Sequence, residues 1–145
     1  MNKLVSGFVL AVAGGALALF AGGVDLTGAK CPVGGHQALA GMASHYKGGT
    51  VYFCCDGCPQ AFEADPAQYA TAANAQLFVT GQAKQVACPL TGKSIEGGPA
   101  LEIAGKSVAF SGEAHKAAVS SASEEQRLEL VFGEEAFARG FKVGD

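Results

Sequence analysis

Thr50-Val51-Tyr52-Phe53-Cys54-Cys55-Asp56-Gly57-Cys58-Pro59 is the stretch whose reading decides the fold. A run of β-branched and aromatic residues, preceded by the turn pair Gly48-Gly49, reads as a strand that ends in Cys-Cys-Asp-Gly-Cys. Pro59 then fits the first position of a helix, with Phe62 on the face that returns to the hairpin. Upstream stands a Cys31-Pro32 turn, with 22 residues between Cys31 and Cys54. A thiolate pair three or four residues apart at a tight turn fills two corners of a tetrahedron, and the distant cysteine turn supplies a third. The spacing is that of a metal site.

The pattern resembles the TRASH and YHS-like families of small metal-binding knuckles: one Cys, a spacer of about twenty residues, then Cys-x3-Cys at the end of a hairpin followed by a helix. The residues that carry the resemblance are Cys31-Pro32-Val33-Gly34-Gly35, Tyr46 through Cys58, Phe62, and Asp65-Pro66-Ala67-Gln68-Tyr69. It implies heavy-metal handling and assigns Cys31, Cys54 and Cys58 as ligands of a zinc or copper ion. Cys55 is left open as a further ligand, a redox partner of Cys58 through Cys55-x-x-Cys58, or a passive small side chain. Adjacent cysteines point to different sides of an extended backbone, so Cys54 and Cys55 share one ion only where the turn bends sharply. His36 or His45 is available as a fourth ligand, although a lone His is more commonly a surface residue. The rival to ligation is a disulfide, and with five cysteines at least one stays unpaired in a monomer.

A second register underlies the first. Shifting the chain by 57 residues lays Cys31-Pro32 on Cys88-Pro89, Gly35 on Gly92, Gly41 on Gly98, Gly48 on Gly105, Val51 on Val108 and Phe53 on Phe110 without a gap. The register reads as a duplication. In the second copy Ser111 stands at the Cys54 position, Gly112 at Cys55 and His115 at Cys58. Cys88 and His115 alone do not close a structural zinc site, so this copy reads as a degenerate structural partner. The alternative is a weak second site, better suited to Cu(I), or a contribution across a pseudo-twofold to the first.

The remaining elements follow from local signals. A strand is predicted around Met42 to Tyr46, a helix from Asp65-Pro66 toward Asn74, and a strand at Leu77-Phe78-Val79. Ala100 to Ile103 and Ser107 to Phe110 flank Gly105-Lys106 as a hairpin. Ser123-Glu124-Glu125-Gln126 is a capping box ahead of a helix through Leu128, Val131 and Phe132, stopped by Gly133. Glu134 to Phe141 adds a further turn or two of helix.

The chain has 145 residues and a net charge of −3. It lacks clusters of Lys and Arg, which argues against nucleic-acid binding. Met1-Asn2-Lys3 precedes a charge-free apolar stretch from Leu4 to Val24 that reads as an apolar helix, either a cleaved export signal or a retained membrane anchor. About 120 residues then remain, glycine- and alanine-rich, for which a small core leans on metal or disulfide cross-links. No nucleophile-and-base set, paired-carboxylate cleft or glycine-rich phosphate loop is present, so an enzyme is not expected.

The expected architecture is α+β: two tandem treble-clef/TRASH-like ββα lobes, residues 25–76 and 77–145, after the segment 1–24. The expected protein is a small exported metal-binding one, periplasmic or extracellular and anchored in the membrane if residues 4–24 are kept. Its partner is a metal ion. The alternative is a membrane-anchored accessory subunit or protein-interaction module, docked on a protein partner or membrane complex, in which the metal is structural.

Overall fold

The structure, a computed structural model, describes residues 23–144. The apolar segment read as signal or anchor lies almost wholly outside these residues. Among the described residues no helix is long and apolar enough to cross a membrane.

The described residues are α+β, with three two-stranded antiparallel sheets among them. Strand β1 (Leu39–Tyr46) pairs with β2 (Gly49–Phe53), placing Tyr46 opposite Gly49 and Ser44 opposite Val51. The turn between them is Lys47-Gly48, both at positive φ (50° and 81°), one residue earlier than the pair Gly48-Gly49 read from the sequence, because Gly49 already pairs with Tyr46 as the first residue of β2. Two consecutive left-handed residues match the right-handed twist of the flanking strands, and this is why the hairpin closes in two residues. Alternation along β2 buries Val51 and Phe53 and leaves Thr50 and Tyr52 half-buried. Helix α1 (Cys58–Ala64) starts with Pro59 in its first turn, as the sequence indicates.

A short 3-10 turn (Pro66–Tyr69), capped by Asp65 accepting from the Gln68 N–H, leads into α2 (Ala70–Val79). The strand predicted at Leu77-Phe78-Val79 is therefore the last turn of α2. A short apolar run carries no period of its own, and α2 is buried on nearly every side, from Ala70 and Ala73 through Asn74, Gln76, Leu77 and Phe78, so it shows no amphipathic stripe. Its stop is Gly81, at φ +77°, with the Gly81 N–H donating to the Phe78 carbonyl. The strand that enters the second half is β3 (Ala83–Gln85), which pairs with the C-terminal β6 (Phe141–Val143).

Strands β4 (Ala100–Ile103) and β5 (Lys106–Ala109) form the second hairpin. Helices α3 (Glu113–Ser120), α4 (Glu124–Phe132) and α5 (Glu134–Gly140) follow. The Ser123 capping box is formed in both directions with Gln126.

One core serves the whole described chain. Cys31, Phe53, Cys58 and Phe62 from the first half share it with Cys88, Val108, Phe110 and Val119 from the second. At its centre Phe78, Phe132 and Phe141 meet with ring centroids 5.1 to 5.6 Å apart. The boundary drawn between residues 76 and 77 falls inside α2 and inside this common core.

Local geometry recurs between positions 57 residues apart. The second hairpin turns through Ala104-Gly105 at φ 54° and 78°, against 50° and 81° for Lys47-Gly48. The Cys31 N–H donates to the His36 carbonyl and Gly35 N–H to the Cys31 carbonyl, while Cys88 N–H donates to Lys93 and Gly92 N–H to Cys88. Gly35 and Gly92 each have φ 71°. Two glutamines add a matching feature outside that register. The Gln76 carboxamide accepts from the Tyr52 N–H and donates to the Tyr52 and Lys30 carbonyls. Gln85 accepts from the Ala109 N–H and donates to the Ala109 and Ala87 carbonyls, the positions equivalent to Tyr52 and Lys30. Each glutamine thus completes the backbone pairing of a hairpin strand that would otherwise present an open edge.

Candidate metal centre

Three sulfurs converge where the Cys31 turn meets the end of β2 and the start of α1. The Sγ atoms of Cys31, Cys54 and Cys58 all lie within 4.8 Å of one another, with Cys54 and Cys58 3.8 Å apart. Cys31 and Cys58 are buried and Cys54 is half-buried, so the group opens to one side. Behind it Phe62 packs on Phe53, Tyr46 and Tyr69 and joins the site to the core.

The Cys31 turn is shaped around sulfur. Its backbone is held by the paired bonds between Cys31, Gly35 and His36 and by the bridge between Lys30 and Gln37. The Gly34 N–H donates to Cys31 Sγ at 3.2 Å. A Cβ on Gly34 would stand 2.6 Å from Cys54 Sγ and 3.7 Å from Cys58 Sγ, so this position requires glycine for the close approach of two sulfurs. The sequence displayed Gly34-Gly35 only as a glycine pair; its function as a cradle depends on which atoms arrive opposite.

The electrostatics favour a charged sulfur at Cys31. Burial pushes its thiol up, but backbone N–H groups of Gly34, Cys54 and Val33, with the Cys54 thiol, outweigh it and lower the pKa. Cys54 is raised, by desolvation, by its hydrogen bond to Cys31 and by the Cys31 charge, against a lowering from the His36 backbone N–H. Of the two, Cys31 is the thiol that gives up its proton first. A bound cation draws further protons off such a group, because thiolate is the ligating form. The donor set, its cradle and its polarity all fit a thiophilic ion.

The remaining expected residues lie around this group and not in it. Cys55 is exposed and is joined to Cys58 by a disulfide. His36 is exposed, with its ring Cδ2 3.8 Å from the same Gly34 Cβ position, beside the sulfurs on their open side. His45 is exposed on β1. The Cys31–Gly35 loop also forms one wall of a cavity of about 780 Å³, closed by α2, the Ala104-Gly105 turn and the start of α4.

In the second half, Cys88 is fully buried and its sulfur faces hydroxyls. Burial raises its pKa, and hydrogen bonds from Ser111, Thr91 and the Ser111 and Leu90 backbone overcome this, bringing it to about 7. Thr91 Oγ1 lies 2.9 Å from Ser111 Oγ, which lies 3.2 Å from His115 Nδ1. Thr91 occupies the position equivalent to Gly34, so a hydroxyl stands where the first half leaves room for sulfur.

Residues 32–73 match the family model of the YHS domain, a Cys-rich metal-binding family. The match takes in Cys54, Cys55 and Cys58 and begins one residue after Cys31; it does not reach Cys88. No curated protein and no solved structure gives a significant match. The class that this stretch and its sulfur group support is a metal-binding one.

Proposed function

We propose that this protein handles a thiophilic metal ion outside the cytoplasm, holding it on the thiolates of Cys31, Cys54 and Cys58. The observation that carries the reading is the convergence of these three sulfurs around a glycine that no other residue can replace without contact. Three thiolates suit Cu(I), which accepts low coordination numbers; Zn(II) asks for a fourth ligand, for which His36 is the nearest group on the open side. We therefore favour Cu(I). The half-buried Cys54 and exposed His36 leave a face through which an ion is exchanged, as delivery or storage requires, whereas a purely structural site is closed. Binding, and not catalysis, is the activity.

The equal turn geometry and the paired bonds at Cys31 and Cys88 support reading residues 88–120 as a second, degenerate knuckle, in which Thr91, Ser111 and His115 replace the metal by hydrogen bonds. The apolar stretch 4–24 supports export, with cleavage giving a soluble periplasmic or extracellular protein and retention an anchored one. A reporter that placed residues 31–145 in the cytoplasm would defeat the export argument.

The deciding experiment is native mass spectrometry of the reduced full chain with Cu(I) or Zn²⁺. One ion per chain is expected for the parent and none for Cys58→Ser. A parent that binds no ion refutes the proposal.

A further inference from the structure

One sulfur, Cys58 Sγ, belongs to two arrangements at once. It is a member of the three-sulfur group, and it is bonded to Cys55. These uses exclude each other, because the metal ligand is a thiolate and a disulfide sulfur carries no charge. We propose that Cys55–Cys58 is a reversible redox modification site that sets whether the metal centre is complete: oxidised, the site keeps Cys31 and Cys54 alone; reduced, it regains Cys58. The inference rests on the reading that Cys31, Cys54 and Cys58 hold the ion.

The turn is built for both states. Cys55 and Cys58 have Cα atoms 5.6 Å apart, within the range a disulfide spans, and the Cys58 N–H donates to the Cys55 carbonyl to close the turn. Breaking the S–S bond leaves Cys58 Sγ beside Cys54 Sγ without moving the backbone. Access differs sharply across the pair, since Cys55 is exposed and Cys58 is 5 % exposed. A dithiol reductant therefore attacks Cys55: its thiolate forms a mixed disulfide with Cys55 Sγ, the Cys55–Cys58 bond breaks, and the electron pair leaves on Cys58 as a thiolate. The second thiolate of the reductant then releases its own disulfide and leaves a thiol at Cys55, with the proton from solvent. Oxidation by a small-molecule disulfide reverses this, removing two electrons from Cys55 and Cys58 and releasing two small thiols. The leaving sulfur is thus delivered as the ligand, and Cys55 is a gate and not a ligand.

The test uses the full chain and Cys55→Ser, each reduced or treated with glutathione disulfide, then desalted under nitrogen. Cu(I) affinity is read by competition with a chromophoric chelator, and free thiols by alkylation and mass. Oxidation should block alkylation at Cys55 and Cys58 and weaken Cu(I) binding in the parent by roughly 100-fold or more, at or beyond the upper end of what even an outer-shell partner costs. Cys55→Ser should bind as tightly as the reduced parent under both treatments. Unchanged affinity in the oxidised parent overturns the gate alone. Loss of binding in reduced Cys55→Ser overturns it by making Cys55 a ligand, and loss only on oxidation overturns it by placing the sensitive pair elsewhere. A reduced parent that binds no Cu(I) overturns the metal reading and the gate together.

Discussion

The Cys31 turn and the Cys88 turn share a backbone and differ in what fills it. Both close by the same pair of hydrogen bonds and both carry a left-handed glycine at φ 71°. Around Cys31 the space is given to sulfur: Gly34 has no side chain, and Cys54 and Cys58 come within 4.8 Å of Cys31. Around Cys88 the equivalent space holds the Thr91 and Ser111 hydroxyls, linked on to His115. The scaffold therefore does not depend on having a metal site. A buried thiol needs partners, and either two more sulfurs or two hydroxyls supply them.

The sharpest way to break that comparison is Cys58→Ser against Cys88→Ser. Cys58→Ser should weaken metal binding by more than roughly 100-fold, since it removes a proposed direct ligand. Cys88→Ser should leave the metal stoichiometry unchanged. If both substitutions lowered it equally in a metal titration, the two halves would share one composite site.

Next in size is the cradle. Gly34→Ala puts a methyl 2.6 Å from Cys54 Sγ and should lower metal affinity by roughly 10- to 100-fold, since it displaces the ligand without deleting it. Thr91→Ala at the matching position should leave metal affinity unchanged and cost about 1 kcal/mol in urea unfolding, the worth of a typical hydrogen bond.

The two glutamines sharpen the comparison further. Gln76→Ala leaves the Tyr52 peptide group and the Lys30 carbonyl without partners and should cost about 2–3 kcal/mol. Gln85→Ala removes the same three kinds of bond from Ala109 and Ala87, but Gln85 is half-buried where Gln76 is buried, so water replaces part of the loss and about 1–2 kcal/mol is expected. Equal and negligible effects in chemical denaturation would show that the strand edges need no such closure.

The remaining effect is in pH. A thiol whose folded pKa of about 7 lies below its ordinary 9.0 contributes stability that is absent below pH 7, grows as pH rises, and is complete above about 9. Cys31, also lowered, acts in the same direction, and its partner Cys54, which is raised, opposes it, so the Cys88 contribution is isolated by the Cys88→Ser comparison. The urea midpoint should rise from pH 7 to 9, and Cys88→Ser should remove part of that rise. No change in slope on that substitution would place the Cys88 thiol at its ordinary value.

Much of this was open to reading in the chain itself. Two hairpins, the helix behind Cys58, the Ser123 capping box and the three convergent cysteines each rest on a signal carried by neighbouring residues: a turn pair, a proline, a cap, a spacing. Helix α2 was not legible at Leu77-Phe78-Val79, because burial on every side erases the period by which a helix is recognised. Neither were the single core, the glutamine closures of two strands, or the different contents of matching turns. Each depends on atoms far apart in sequence arriving at one point. Spacing by itself determined which sulfurs come together, since a hairpin end and a preceding turn are local geometry. Only the tertiary structure decided that Gly34 must be bare, that Thr91 fills the same place in the other half, and that Cys58 is claimed both by Cys55 and by the metal group, because each is a question of which atoms exclude one another in space.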